Sequence, residues 1–298
     1  MTDLKKKLTG VLGFPVTSFN ADLSLNLEAQ EKNVDEMTRH PFCAIVAAGG
    51  TGEVYSMTPQ EAVEVVRVSV KATAGRMPVI GGVSFNLPMA IYMAQEMEKA
   101  GAEALLVLPP YYINAPEEGM IHYFEQIGRH TGLPLSFYSR DWAAFTPQQV
   151  ARLAERVPTL QIWKDGQGDA RKYQRIMTAV GDRLAWLGGI GDDCAPAYFG
   201  IGCQAYTSSI STINPKMSLA IAEAGMKCDR TRMMEIMGKY VNPLYSLRDR
   251  VRGFEVSAMK SCMDLLGMYG GPVRPPLVDC KPNDIEDLRQ LMQLYKAF

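Results

Sequence analysis

Ala104-Leu105-Leu106-Val107-Leu108 is an unbroken apolar run closed by Pro109-Pro110. A strand with one wet face alternates apolar and polar residues, so a run without alternation calls for cover on both faces. Short runs of the same kind recur at 9–17, 44–48, 79–84, 133–138, 160–164, 184–188 and 204–209, which with 104–108 makes eight candidate strands. Helical patterns separate them, and a strand that returns through a helix runs parallel to its predecessor. Two of those helices carry explicit start signals, Thr58-Pro59-Gln60-Glu61 and Thr146-Pro147-Gln148-Gln149. Each sets Thr at the N-cap, Pro at the first helical position and Glu or Gln three residues after the cap. Eight alternations with no Gly- or Pro-rich linker favour an α/β fold of the (β/α)8 TIM-barrel type over an open doubly wound sheet, although pattern alone does not prove closure.

Beyond the last strand, helical patterns at 216–226, 229–249, 254–268 and 282–297 exceed what one barrel needs. They divide the chain into a barrel over 1–226 and a C-terminal helical extension over 227–298. Gly270-Gly271-Pro272 and Pro275-Pro276 set the last helix apart.

At 298 residues the chain has room for a barrel of about 250 residues and an appendage. Its 31 basic and 32 acidic residues balance to a net charge of -1, which leaves no broad field to attract nucleic acid or an anionic membrane. Met1 to Gly10 has consecutive lysines but no apolar stretch behind them, and no apolar run nears the ~18 residues of a membrane span. A soluble cytoplasmic enzyme is the simplest expectation. The six cysteines, Cys43, Cys194, Cys203, Cys228, Cys262 and Cys280, show no C-x-x-C pair, so buried free thiols are expected rather than zinc or disulfides. His40, His122 and His130 are expected on helices, away from the barrel mouth, and no metal-binding or serine-hydrolase motif is present. No metal and no cofactor is expected. The methionines between Met89 and Met97 read as core filler at helical spacing.

Barrels of this type carry their chemistry at the C-terminal ends of the strands. Gly49-Gly50-Thr51-Gly52-Glu53 follows the second candidate strand, Tyr111 and Tyr112 the fourth; Tyr138 and Arg140 end the fifth and Lys164 the sixth. Gly188 to Asp193, with Gly189, follows the seventh, and Ser208, Ser209 and Ser211 end or follow the eighth. Lys164 stands out because an otherwise buried strand delivers its amine to the expected mouth, where desolvation lowers proton affinity and creates a nucleophile. A lysine that merely closes the strand and pairs with Asp165 or Asp169 fits the pattern equally. Tyr138 on the adjacent strand offers a phenol for proton transfer, or simply an aromatic cap on the barrel core. The glycines at 49–53 let backbone amides approach a carboxylate, with Thr51 adding a hydroxyl, or make a tight turn.

These residues together resemble the dihydrodipicolinate synthase and N-acetylneuraminate lyase superfamily over nearly the whole chain. The anchors are the Gly-x-x-Gly-Glu loop at 49–53, Pro110-Tyr111-Tyr112, Tyr138 and the strand ending in Lys164. The resemblance implies a barrel with a helical extension, a homo-oligomer (tetramer or dimer), and Schiff-base chemistry on 2-keto acids without cofactor. By position, Lys164 would carry the imine, Tyr138 would move protons, and Gly50 and Thr51 would hold the keto-acid carboxylate. Many relatives have Ser or Thr where this chain has Gly50, joined in a proton relay to a neighbouring subunit's tyrosine, the position of Tyr112. The departure at Gly50 puts that relay in doubt.

Two stretches, Tyr138-Ser139-Arg140-Asp141-Trp142 and Lys164-Asp165-Gly166-Gln167-Gly168-Asp169, narrow the resemblance to the 5-dehydro-4-deoxyglucarate dehydratases. That implies a small-molecule keto diacid as substrate, with Arg140 available for the second carboxylate or paired with Asp141, and Ser208, Ser209 and Ser211 as hydroxyl contacts. An aldolase or synthase of the same superfamily, or a noncatalytic keto-acid-binding protein on the same scaffold, are the alternatives.

Overall fold

The strands β1 (Gly10–Gly13), β2 (Ala44–Ala47), β3 (Val79–Val83), β4 (Ala104–Val107), β5 (Leu135–Ser139), β6 (Leu160–Asp165), β7 (Ala185–Gly188) and β8 (Ala205–Ser208) pair in chain order. In this computed structural model, which describes residues 4–298, β1 also pairs with β8 in parallel and closes a barrel. Met1–Asp3, the start of the segment read for a leader, lie outside the described residues. All eight expected strands are present among the described residues, each within two residues of its expected start. The one large difference is β1, expected to reach residue 17 but ending at Gly13. Pro15 has no N–H for the ladder, and the amide of Phe14 turns aside to donate to Ser211 Oγ at 3.3 Å.

Both sequence-marked helix starts form complete capping boxes, at Thr58 for the helix Pro59–Thr73 and at Thr146 for Pro147–Arg156. Each cap fixes where the chain turns from the barrel mouth into its return helix, and contributes on the order of 1 kcal/mol. The expected helix at 229–249 runs without a break over 230–248, as Arg230–Ile236, a π-helical turn Met237–Val241, and Asn242–Arg248. Pro243 lacks the N–H that would bond the Lys239 carbonyl four residues back, and a wider turn accommodates the loss.

The C-terminal helices pack on the outside of the barrel near β1. Val11, Val34 and Ile45 share one buried cluster with Ile221, Ile236, Met259 and Leu288. A second cluster fills the barrel and the helix layer around β3 to β6, with Met93 and Met97 inside it as expected, whereas Met89 is exposed on the first turn of its helix. All six cysteines are free, but only Cys203, Cys262 and Cys280 are buried as expected; Cys43 and Cys194 are half-buried and Cys228 is exposed. His122 lies on the helix Glu117–Arg129, but His40 and His130 lie just past the helices Leu27–Met37 and Glu117–Arg129 instead of on them. Among the described residues no helix is long and apolar enough to cross a membrane.

The extension also reaches the barrel mouth. Lys260, on the helix Phe254–Leu265, meets Glu53 of the glycine loop at 2.6 Å, with both side chains essentially excluded from solvent. The amide of Arg274 donates to the same carboxylate at 3.0 Å, while its guanidinium pairs with Glu61. Glu53 thus anchors the loop structurally. Lys260→Met leaves that carboxylate buried without its cation and is expected to destabilise the fold by about 3–5 kcal/mol in denaturant titration. Adding Glu53→Gln should recover much of the loss; two independent, additive losses would show that the pair is not coupled.

Candidate active site

The register of β5 and β6 sets Tyr138 opposite Lys164. Register partners on parallel strands share a face, so both side chains enter the barrel at its C-terminal end. Lys164 is 3% exposed, and its Nζ donates to the carbonyl of Gly189 at 2.8 Å. The same Nζ lies 3.2 Å from the centre of the Tyr138 ring and 5.2 Å from that of Phe14. No ion pair reaches it among the described residues. Asp165 instead accepts from the Tyr198 hydroxyl at 2.8 Å and the Gly168 amide at 3.0 Å, and Asp169 caps the helix Ala170–Val180. The pairing with Asp165 or Asp169 that the sequence left open does not form. Burial, helped by the charge of Arg140 and only opposed by Asp165, holds the lysine well below its ordinary proton affinity.

The Tyr138 hydroxyl does not bond the amine directly; it faces the Gly189 carbonyl at 3.4 Å, so amine and phenol converge on one acceptor. Burial raises the phenol above its ordinary range, which keeps it protonated at neutral pH. Gly189 is there because nothing larger fits: a Cβ would lie 2.4 Å from Lys164 Cγ. The pair opens on a cavity of about 630 Å³ lined by Phe14, Thr51, Tyr138, Lys164, Gly189 and Arg248, among others. That volume suits a small organic molecule.

Gly50, Thr51, Arg140, Gly189 and Ser209 all line this cavity, as the sequence reading expects. Of the two alternatives left open for Arg140, the pairing with Asp141 forms, through Nε at 2.7 Å, and the side chain also lines the cavity, with Nη1 3.4 Å from where a Cβ on Gly50 would stand. Ser208 and Ser211 do not line it. Ser208 Oγ donates to Asp192 and meets Ser218 Oγ at 2.7 Å; Ser211 Oγ donates to the Ser208 carbonyl at 2.6 Å. Strand alternation explains Ser208, since Thr207 and Ser209 face the cavity and Ser208, between them, faces away; Ser211 lies past the strand in the 3-10 turn Ile210–Thr212, where that alternation no longer holds. Tyr112 is 64% exposed and lies outside the cavity of its own chain.

A sequence profile of the dihydrodipicolinate synthetase family matches residues 7–295. The chain belongs to the dihydrodipicolinate synthetase family. Among solved family folds, dihydrodipicolinate synthase from Oceanobacillus iheyensis superposes with a TM-score of 0.93 over 99% of both chains at 23% identity. The enzyme from Bacillus clausii gives 0.92 at 24% identity, over 98% of this chain and 99% of the other. The sequence is nearer to proteins named probable 5-dehydro-4-deoxyglucarate dehydratase. That of Bradyrhizobium diazoefficiens is 36% identical over 97% of this chain and 93% of its own, and that of Rhizobium rhizogenes 36% over 99% and 98%.

This family member also builds its site from residues the sequence reading passed over. Asp192, fully buried after β7, accepts from the hydroxyls of Ser208, Ser209 and Tyr245 and from the amide of Ser209. It ties the end of β8 to the extension. Arg248, the last residue of the helix Asn242–Arg248, donates through Nη1 to Ser209 Oγ at 2.9 Å and stacks over the Tyr245 ring. Asp192 was visible as part of an acidic loop after a strand. Arg248 had no local signal, because only packing of the extension brings it to the mouth.

Proposed function

We propose that the protein is a decarboxylating dehydratase that converts 5-dehydro-4-deoxyglucarate to 2,5-dioxopentanoate, water and carbon dioxide through a Schiff base on Lys164. The observation that carries this reading is a buried amine with no ion-pair partner, set against the face of Tyr138 at the floor of a cavity. Likeness to the relatives named as dehydratases, along nearly the full length of both chains, supports the choice of reaction.

The uncharged amine attacks the ketone, and loss of water from the carbinolamine forms the imine, whose protonated form is an electron sink. Removal of a proton from the adjacent methylene gives an enamine, which expels the β-hydroxyl. Tyr138, kept protonated by burial, is the donor that lets the hydroxyl leave as water. The iminium is then conjugated with a carbon–carbon double bond. When the distal carboxylate departs as carbon dioxide, the electron pair of the broken bond flows through that system to the imine nitrogen. The resulting enol tautomerises to the aldehyde, and hydrolysis frees Lys164. Gly50 and Thr51 hold the carboxylate next to the ketone, and Arg140, beside Gly50, adds positive charge at that end. No metal or cofactor enters these steps.

The same reading implies a homo-oligomer acting in cytoplasmic glucarate catabolism. Tyr111, Tyr112 and Ile113 are 94%, 64% and 63% exposed on one loop, apolar surface suited to a second copy, from which Tyr112 would approach the neighbouring mouth. Incubation with 5-dehydro-4-deoxyglucarate tests the reaction. Carbon dioxide and 2,5-dioxopentanoate are expected in equal amounts; pyruvate in their place would make the protein an aldolase using the same imine.

A further inference from the structure

Arg248 lines the cavity without a carboxylate in ion-pairing contact among the described residues; Asp192, Asp193 and Glu255 attract it only from further off, and its Nε is buried with no hydrogen-bond partner. Nη1 is held by Ser209 Oγ, and the guanidinium lies 4.2 Å over the Tyr245 ring, so the half-buried group is oriented toward the cavity it lines. Both supports are themselves anchored on the buried carboxylate of Asp192, to which the Ser209 and Tyr245 hydroxyls donate at 3.0 and 3.1 Å. An unpaired buried donor on a charged group is costly, and a structure that fixes one beside a cavity has a ligand to satisfy it.

Arg140 is differently placed. It already holds Asp141 at 2.7 Å, and its free end lies beside Gly50 on the β2 side of the mouth. Arg248 reaches the mouth from the β7–β8 side, through Ser209. A ketone carbon held on Lys164 of β6, with its own carboxylate toward the Gly50 loop, directs the rest of the molecule away from that loop.

We infer that Arg248 binds the distal carboxylate of the substrate and makes the site selective for keto diacids over keto monoacids of equal length. The inference rests on the Schiff-base reading above and assigns to the C-terminal extension a direct part in substrate choice. A guanidinium contact to a carboxylate fixes orientation as well as charge, and so can hold the carbon–carbon bond that breaks parallel to the π orbitals of the conjugated iminium, the geometry in which its electron pair reaches the imine nitrogen.

Two ligands of equal length separate the inference from the reading beneath it: 2-oxoadipate, which ends in a carboxylate, and 2-oxohexanoate, which ends in a methyl group. Neither carries the β-hydroxyl, so both stop at the imine and can be trapped with borohydride and weighed. The native protein is expected to trap both, with half-saturation at about 10- to 100-fold lower concentration for the diacid. In Arg248→Gln the preference of diacid over monoacid should disappear, with both ligands still trapped and the fold checked separately by circular dichroism and thermal melting; Arg248→Lys, keeping charge without the fork, should fall between. Trapping of neither ligand by the native protein would overturn the Schiff-base reading and the inference together. A preference that survives in Arg248→Gln, or one abolished in Arg140→Gln instead, would overturn the inference alone.

Discussion

Lys164→Ala should abolish the borohydride-trapped adduct that the native protein forms once per chain with a 2-keto acid, and lower kcat by at least about 10⁴-fold. The magnitude follows from losing the covalent intermediate itself: without the imine nothing stabilises the carbanion formed at the methylene, and among the described residues no second lysine lines the cavity. Intact-mass measurement followed by peptide mapping checks both the number of adducts and their position. An adduct on another lysine, or turnover within tenfold of native, would remove Lys164 from the mechanism.

The same residue should leave a mark on stability. Unfolded, the amine binds a proton below about pH 10.4; folded, burial keeps it from doing so until the pH is far lower. What the group contributes to stability is therefore fully present above about pH 10.4 and is lost as the pH falls toward the depressed folded value. At pH 7 the native amine thus costs stability. Lys164→Met should melt at higher temperature than the native protein at pH 7, and the advantage should shrink as the pH approaches 10.4. A difference independent of pH would mean that the amine titrates alike in both states.

Tyr138→Phe should lower kcat by about 10²- to 10⁴-fold, the usual range for loss of a general acid or base. The ring against which Lys164 Nζ rests at 3.2 Å remains, so the environment that keeps the amine uncharged is preserved. Imine trapping should therefore still go to completion, but more slowly, because proton transfer in the carbinolamine is lost. Rapid-quench trapping separates the two effects. Native trapping rates combined with native turnover would reduce Tyr138 to a packing residue.

The barrel was legible because its information is local. Unbroken runs such as Ala104–Leu108 report two covered faces, and the capping boxes at Thr58 and Thr146 report where helices begin, each within a few residues of chain. Proline is the local signal that modifies this pattern: Pro15 ends β1 early, and Pro243 widens one turn of a long helix into a π-turn without breaking it. Lys164 and Tyr138 could be singled out because a polar residue at the end of a buried strand is conspicuous, and their pairing follows from strand order.

Sequence alone therefore determined the strand–helix alternation, the strand ends that carry the amine and the phenol, and a family resemblance specific enough to suggest the reaction. Tertiary structure decided which groups share an environment. It showed Asp165 turned toward Tyr198 rather than Lys164, Ser208 and Ser211 turned into the protein, and Glu53 committed to Lys260. It also brought Arg248 across from the extension to Ser209, 39 residues away along the chain. The reason is physical: backbone geometry and burial periodicity are fixed by neighbours in sequence, whereas charge, proton affinity and ligand access depend on which distant side chains packing brings within a few ångströms.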